Sequence, residues 1–340
     1  MSTTAEPHDE PGSPADGFSG RPWWRRPQRM GRQLAGALVV TAALAVLTFG
    51  GLNYVAARDL LVRGTEEQLA GVGAGRAVAI ESGAARLTAD VSSASSDLAL
   101  ANAVVNLTAA FDELDEESLE ADQRAELEDF YSTRVVDPAN EAGLGPYTVD
   151  GLLPRTEAGR WLQYHYTLRP EGDPPPVDAG DGTTYSEVNA AVTPFIEEFS
   201  ASLGGGDVLL LDESGTIVYS LEKRNDVGTN LVSGPYDESA LARAVTDSLP
   251  RARVGTAVLT NYTVTPTGGA ALYAVSAVTS GSQVVGALAA ELPVQAINEV
   301  VSSDGEWDEV GVGEGDVYVV GLDQTLQSEP RAWQDDPEGY

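Results

Sequence analysis

Asp207-Val-Leu-Leu-Leu-Asp212-Glu-Ser-Gly215-Thr-Ile-Val-Tyr219-Ser decides the fold of this chain. Two short apolar runs, Asp207 to Leu211 and Thr216 to Leu221, flank the turn residues Asp212-Glu213-Ser214-Gly215. Runs of this length, bounded by Asp, Ser and Gly, predict a β-hairpin. Upstream, Thr184 to Leu203 carries Val188, Val192, Phe195, Ile196 and Phe199 at helical spacing, with Glu197 and Glu198 off that face. Gly204-Gly205-Gly206 then ends the predicted helix. Downstream, Asn225 to Tyr236 reads as a loop and Asp237 to Leu249 as an amphipathic helix. Ala257–Val264, Ala270–Val278 and Val284–Glu291 read as strands, turning at Gly268-Gly269 and Ser280-Gly281-Ser282. Pro293 to Ser302 returns to helix. Two strands, a helical insertion and three more strands make an α+β domain on one five-stranded antiparallel sheet.

Further towards the N-terminus the pattern is helical. Arg58 to Phe111 lacks proline, and Leu69, Val72, Ile80, Leu87, Val91, Leu98 and Val105 fall along one stripe. Such a stripe serves either a second copy of the same helix or the chain's own globular part. Asp115 to Arg134 reads as a second helix with an acidic first turn, and Pro138 to Pro154 as a loop. An aromatic segment, Arg160-Trp161-Leu-Gln-Tyr164-His-Tyr166, precedes the break at Pro174-Pro175-Pro176.

Gln33 to Ala57 is uncharged and almost wholly apolar, and five arginines precede it (Arg21, Arg25, Arg26, Arg29, Arg32). At about 1.5 Å per residue this run reaches roughly 37 Å, enough for a hydrocarbon core of about 30 Å. The arginines place residues 1–32 in the cytoplasm and 58–340 outside by the positive-inside rule. Val55-Ala56-Ala57 would suit a cleavage site, but the long n-region and apolar run favour an uncleaved anchor. Trp23 and Trp24 fit an interfacial belt.

The chain has 340 residues, a formal charge of −32 and no cysteine. Disulfides and thiolate metal sites are therefore excluded, and a nucleic-acid partner is not expected at this charge. Lys223 is the one lysine among 20 basic residues. His8 and His165 are far apart, and no zinc or nucleophile-elbow motif occurs. The acidic run Asp112–Glu117 lacks EF-hand spacing, and Gly311-x-Gly313-x-Gly315 follows no βαβ unit. No catalytic group, metal or cofactor is expected.

In this order the hairpin, followed by Val227-Gly228-Thr-Asn-Leu231 and Gly234-Pro235-Tyr236, resembles the extracytoplasmic double-Cache (PAS-like) sensor region of bacterial transmembrane receptors. A second block, Gly311-Val-Gly313-Glu-Gly315-Asp-Val-Tyr318-Val-Val-Gly321-Leu-Asp323-Gln-Thr-Leu326, is similar to the opening hairpin of the membrane-proximal unit, one residue short of its usual pattern. The resemblance covers about residues 58–340 and is greatest to actinobacterial membrane adenylate/guanylate cyclases. Chemotaxis receptors and sensor kinases carry similar exteriors. It implies a cytoplasmic tail (1–32), a transmembrane helix (33–57), a helical stalk (58–135), a membrane-distal Cache domain (136–303) and an incomplete second unit (304–340).

The resemblance also implies a small ligand between the sheet and its cover. Arg160, Trp161, Tyr164, Tyr166, Tyr185, Tyr236, Asp237, Tyr262 and Tyr273 are the candidate residues. Aromatics wall an organic ligand, Arg grips a carboxylate and Asp holds an amine. Ordinary core packing is the competing role for each aromatic. The expected function is ligand sensing by a dimeric, membrane-anchored receptor without activity of its own. A tethered scaffold or adhesion module is the alternative.

Overall fold

The computed structural model describes residues 28–170, 172–249, 255–265, 268–303, 305, 307, 315–321 and 324–336. The chain divides into two compact units, Met1–Gln68 and Leu69–Tyr340.

The first unit consists, among its described residues, of the opening part of helix α1 (Gln28–Ala94). Its apolar side chains are bare: Leu38, Val46, Leu47, Phe49 and Leu52 are all exposed. The helix is long and apolar enough to cross a membrane, with a mean hydropathy of 2.1 in its most apolar window and none of that window buried.

The second unit is mixed helix and antiparallel sheet. Six strands, β1 (Val208–Leu211), β2 (Ile217–Ser220), β3 (Val258–Leu259), β4 (Thr263–Thr265), β5 (Gly268–Ser280) and β6 (Gln283–Pro293), form one sheet. The order is β2-β1-β6-β5-β3, with β4 also on β5, and every pair is antiparallel. The expected hairpin is β1–β2, with its turn held by Asp212, whose Oδ1 accepts from the amides of Ser214 and Thr216 at 2.9 and 2.8 Å. One predicted strand, Ala257–Val264, is two: regular pairing stops after Leu259, with the Thr260 amide still bonding Tyr273 O at 2.9 Å, and resumes at Thr263, which makes six strands rather than five. Gly268 opens β5 instead of turning, and residues 266–267 lie outside the described set.

The helices are α2 (Leu98–Glu113), α3 (Ala121–Phe130), α4 (Asp137–Glu141), α5 (Val149–Leu152), α6 (Glu157–Leu162), α7 (Thr184–Leu203), α8 (Ala240–Ser248), α9 (Val294–Ser302) and α10 (Arg331–Asp335). Helix α7 has the predicted bounds because Thr183 caps the Ser186 amide at 3.2 Å and Gly204 ends it with φ +107°. Of the predicted apolar face, Ile196 is buried and Val188, Val192 and Phe199 pack partly buried against the core, while Phe195 is exposed; the face widens to take in Tyr185, Ser186, Asn189, Thr193 and Ser200, which are also buried. The expected stripe over Arg58–Phe111 does not run on one helix. Backbone turns at Ser95 to Asp97 end α1, and Asp97 caps α2 through the Ala99 amide at 2.7 Å. Leu87 and Val91 are buried, but Leu98 and Val105 face solvent; α2 instead buries Leu100, Val104, Leu107 and Phe111.

Helix α3 begins at Ala121 rather than Asp115, where Glu120 and Gln123 form a capping box. A π-helical segment (Tyr131–Val136) follows it, and α4 and α5 occupy the predicted Pro138–Pro154 loop. The aromatic segment is also helical, α6 running into a π turn (Gln163–Thr167). Of the second block, 311–314 and 322–323 lie outside the described residues. The rest makes a bridge between Val320 and Leu326, and the residue that follows the block, Gln327, docks through its Oε1, which accepts from the Tyr262 amide at 2.8 Å.

Candidate functional site

The loop leaving β2, Leu221 to Leu231, places an unusual density of charge inside the second unit. It wraps along the outer edge of β2, where the Ile217 amide bonds Thr229 O at 2.9 Å and the Gly228 amide bonds Ile217 O at 2.8 Å. Gly228 has φ +76° and faces Gly159 of α6, so neither position has room for a side chain: a Cβ on Gly159 would stand 2.5 Å from Gly228 O. Asn230 closes the loop. Its Oδ1 accepts from the Val232 and Ser233 amides, and its Nδ2 donates to Ser214 O. The Gly-Thr-Asn-Leu stretch is thus an architectural clamp.

Five ionisable side chains meet beneath this clamp. Cross-strand partners share a face, so Tyr273 and Glu291, paired in β5–β6, stand together, with Asp207 beside them through the Glu291 amide. Asp207 Oδ2 accepts from Ser220 Oγ at 2.8 Å. Arg224 Nη1 donates to Glu291 Oε2 at 2.6 Å. Burial pulls the Arg224 proton affinity down, but Asp207 and Glu291 outweigh it and raise it. Burial raises the Glu291 carboxyl in spite of Arg224.

Asp226 is 5% exposed, and its Oδ1 has no hydrogen-bond partner among the described residues. Burial, then the Asp207 charge, push its carboxyl up to about 7.

Lys223 is 2% exposed and sits at φ +48°, a left-handed backbone that costs a lysine strain. Its Nζ donates to Ser220 O at 2.5 Å and lies 3.6 Å from the centre of the Tyr219 ring. Burial brings the ammonium down to about 7. A cation over an aromatic face recovers part of its desolvation cost.

The aromatic cover is satisfied internally. Tyr131 Oη donates to Gln163 Oε1 at 2.5 Å, and Gln163 Nε2 donates to the carbonyls of Asn225 and Val227, both at 2.8 Å. Asn225 Nδ2 donates to Tyr236 Oη at 3.0 Å. Tyr166 shares a hydrogen bond with Ser186 and meets Tyr185 edge to face at 5.7 Å. Tyr185 Oη donates to Val218 O at 2.8 Å.

The nine candidate residues fall into separate places. Tyr166 and Tyr185 are fully buried beside Tyr219, and Tyr236 and Tyr273 adjoin Asp226. Trp161 is buried and stacks on His165 at 4.0 Å. Arg160 donates to Pro154 O, and Tyr164 donates to Glu126 at the surface. Asp237 lines a cavity of about 320 Å³ with Tyr236, Tyr147 and Arg243. Tyr262 Oη donates to Pro293 O. Asp237 is thus brought together with Tyr236 alone of the buried tyrosines, and Arg160 bonds Pro154 O instead.

Asp207, Lys223, Arg224, Asp226 and Glu291 were absent from the sequence candidates. The solitary lysine inside the run Glu222-Lys223-Arg224-Asn225-Asp226 was the one signal available. Beside this cluster lies an open basin of about 530 Å³ whose walls include Arg134, Arg169, Arg224, Asn225 and Thr167.

No family model matches the chain, and no curated protein matches its sequence. Among solved structures it is similar to the sensor domain of the V. cholerae histidine kinase DctB, at 16% identity and TM-score 0.26 over 34% of this chain and 41% of that one. It is also similar to the ligand-binding domain of Pseudomonas fluorescens chemoreceptor CtaA in complex with L-serine, at 17% identity and TM-score 0.30 over 44% and 61%. The sensory domain of the Campylobacter jejuni chemoreceptor Tlp3 gives 12% identity and TM-score 0.29 over 68% and 76%. The chain thus spans less than two thirds of the first two structures. TM-scores of this size do not establish a shared fold, so neither fold nor ligand is carried across from them.

Proposed function

We propose that this chain is the extracytoplasmic, small-molecule-sensing part of a membrane-anchored receptor. The observation that carries the reading is the buried group of Asp207, Lys223, Asp226 and Glu291, joined by the half-buried Arg224, at the edge of the sheet beside an open basin. Burying charge costs stability, and an apolar core would avoid that cost. Perturbed ionisable groups next to a cavity point to a binding site. The Cache resemblance of the β1–β2 hairpin and its clamp loop supports the same reading, as does the bare apolar helix, which supplies the anchor.

On this reading ligand binding biases the packing of α1 against a second copy, and the chain itself catalyses nothing. The larger receptor is, by resemblance, a nucleotide cyclase.

The test is a thermal-shift screen of the full chain in detergent micelles against small anionic, uncharged and cationic metabolites. A saturable rise in melting temperature for one chemical class is expected, since a ligand bound to the folded state alone stabilises by mass action. No rise across the panel would leave the chain as a tethered scaffold.

A further inference from the structure

A cavity of about 300 Å³ lies on the other face of the sheet from the charged cluster. Leu272 and Leu292 are cross-strand partners in β5 and β6, next to the pair Tyr273 and Glu291. Successive side chains of a strand point to opposite faces, so the leucines line the cavity while Tyr273 and Glu291 stand with the charges. Helix α9 adds Ala296 and Ile297, the end of α7 adds Leu203, and α1 closes the remaining side with Ala79, Gly83 and Ala84. Apart from Arg86, Asp90 and Ser202, every lining residue is aliphatic or glycine.

Small residues on α1 make the space. A Cβ added to Gly83 would meet nothing within 4 Å. Bulk is present on the same stretch of helix but is turned away: Val78, beside Ala79, is 66% exposed. Leu272 and Ile297 on the facing walls are buried, so the cavity is cut into core rather than lying on open surface. Protein interiors carry few voids larger than a water molecule, and an unfilled one deprives its wall of dispersion partners. Water occupies such a space poorly, because it needs roughly two to four polar partners. This wall offers little of that kind. Ser202 Oγ already donates to Phe199 O at 2.6 Å. Arg86 and Asp90 are exposed at the mouth, one turn of α1 apart and of opposite sign, so neither charge selects a ligand.

We infer that this cavity binds a small, uncharged, apolar molecule, of the size of a monocyclic aromatic with a short alkyl chain. An apolar cavity of about 150 Å³ engineered into another protein stays dry and takes benzene. The present cavity has about twice that volume and the same kind of wall. Being bounded by four elements, it suits a compact molecule better than a helix from a second copy, which needs a groove along its length. The occupant would bridge α1 to α9 and the sheet, and so restrain the helix that carries the apolar stretch. The cavity is separate from the charged cluster, and its occupancy stands or falls apart from the sensing function proposed above.

The experiment is hydrogen exchange of the full chain in detergent micelles, with and without saturating butylbenzene, and with pentanoate and butylamine as charged counterparts. Butylbenzene should slow exchange over residues 79–90 and 292–300 and raise the melting temperature saturably. Gly83→Leu and Ala296→Leu fill the cavity from two different helices. Each should abolish both effects, and Gly83→Leu should also raise the melting temperature of the free chain, since it removes a glycine from a helix interior. If one variant fails to fold, the other carries the comparison. Micelles take up butylbenzene equally whichever protein they hold, so the difference between variant and wild type isolates the cavity. Slowed exchange that both variants retain, or that falls on residues 34–61 alone, would overturn the inference. No change with butylbenzene, or an equal change with pentanoate or butylamine, would overturn it as well. A variant that alters the number of subunits, in a protein whose wild type ignores butylbenzene, would assign the cavity to a second copy and against a small molecule.

Discussion

Lys223 and Asp226 occupy the same short loop, are both buried, and both titrate at about 7, one from above and one from below. Their linkage to folding therefore has opposite signs. Asp226 is raised from 3.8, so its neutral form is favoured in the fold. Its contribution to stability is full below its unfolded value and is lost as pH rises to about 7. Lys223 is lowered from 10.5, so the unfolded chain binds the extra proton between about 7 and 10.5, and stability from this group rises over that window. At about 1.4 kcal/mol per tenfold change in proton affinity, each arm amounts to at most about 5 kcal/mol. Together they predict a stability minimum near neutrality. Denaturation midpoints of the full chain, measured from pH 4 to 10, should show the dip. Asp226→Asn should flatten its acid side and Lys223→Met its alkaline side. Difference curves against the wild type that stay level across pH would refute the assignment.

Among the elements, α6 makes a close contact with the clamp loop at the site's edge. The Cβ of Gly159→Ala would stand 2.5 Å from Gly228 O and 2.7 Å from Pro154 Cβ. Overpacking of this kind costs about 1–3 kcal/mol. The variant should unfold at a correspondingly lower denaturant concentration, whereas an unchanged midpoint would mean that the loop yields freely. This contact also shows what could be read from the chain alone. The β1–β2 hairpin, α7 and the two long strands β5 and β6 were legible, because period, caps and turn residues agree there. The break at Ser95–Asp97 was not, because no glycine or proline marks it; Asp97 does so only by capping. The polar residues on the buried side of α7 were hidden for another reason. Asn189 Nδ2 donates to Val177 O, Thr193 bonds Tyr219 Oη as well as Asn189 O within the helix, and Ser200 Oγ donates to Gly206 O; the partners outside the helix are supplied by the fold and not by the local pattern. The site was legible only as an aromatic neighbourhood. Its charges lie in a run that looks like any solvated loop until Asp207 and Glu291, distant in sequence, are brought to it by β1 and β6.

At the scale of the whole molecule, the distribution of charge bears on which side of a membrane each part occupies. Arginine is concentrated before the apolar stretch of α1, and the long remainder is strongly acidic. Lys and Arg near a span favour the cytoplasm. The side chains from Leu34 to Leu61 have no protein to cover them within their own unit, so lipid is the environment that fits them. The orientation can be tested directly because the chain has no cysteine and any introduced thiol is unique. Thr133→Cys places one at an exposed position of the second unit, and Thr3→Cys places one ahead of the arginine cluster. In intact cells expressing the full chain, a membrane-impermeant maleimide should label the Thr133→Cys protein at once and the Thr3→Cys protein only after lysis. The reverse pattern would put the acidic unit in the cytoplasm and remove the basis for an external sensor. Labelling of both without lysis would mean that α1 does not span, and the apolar stretch would then need a protein partner to cover it.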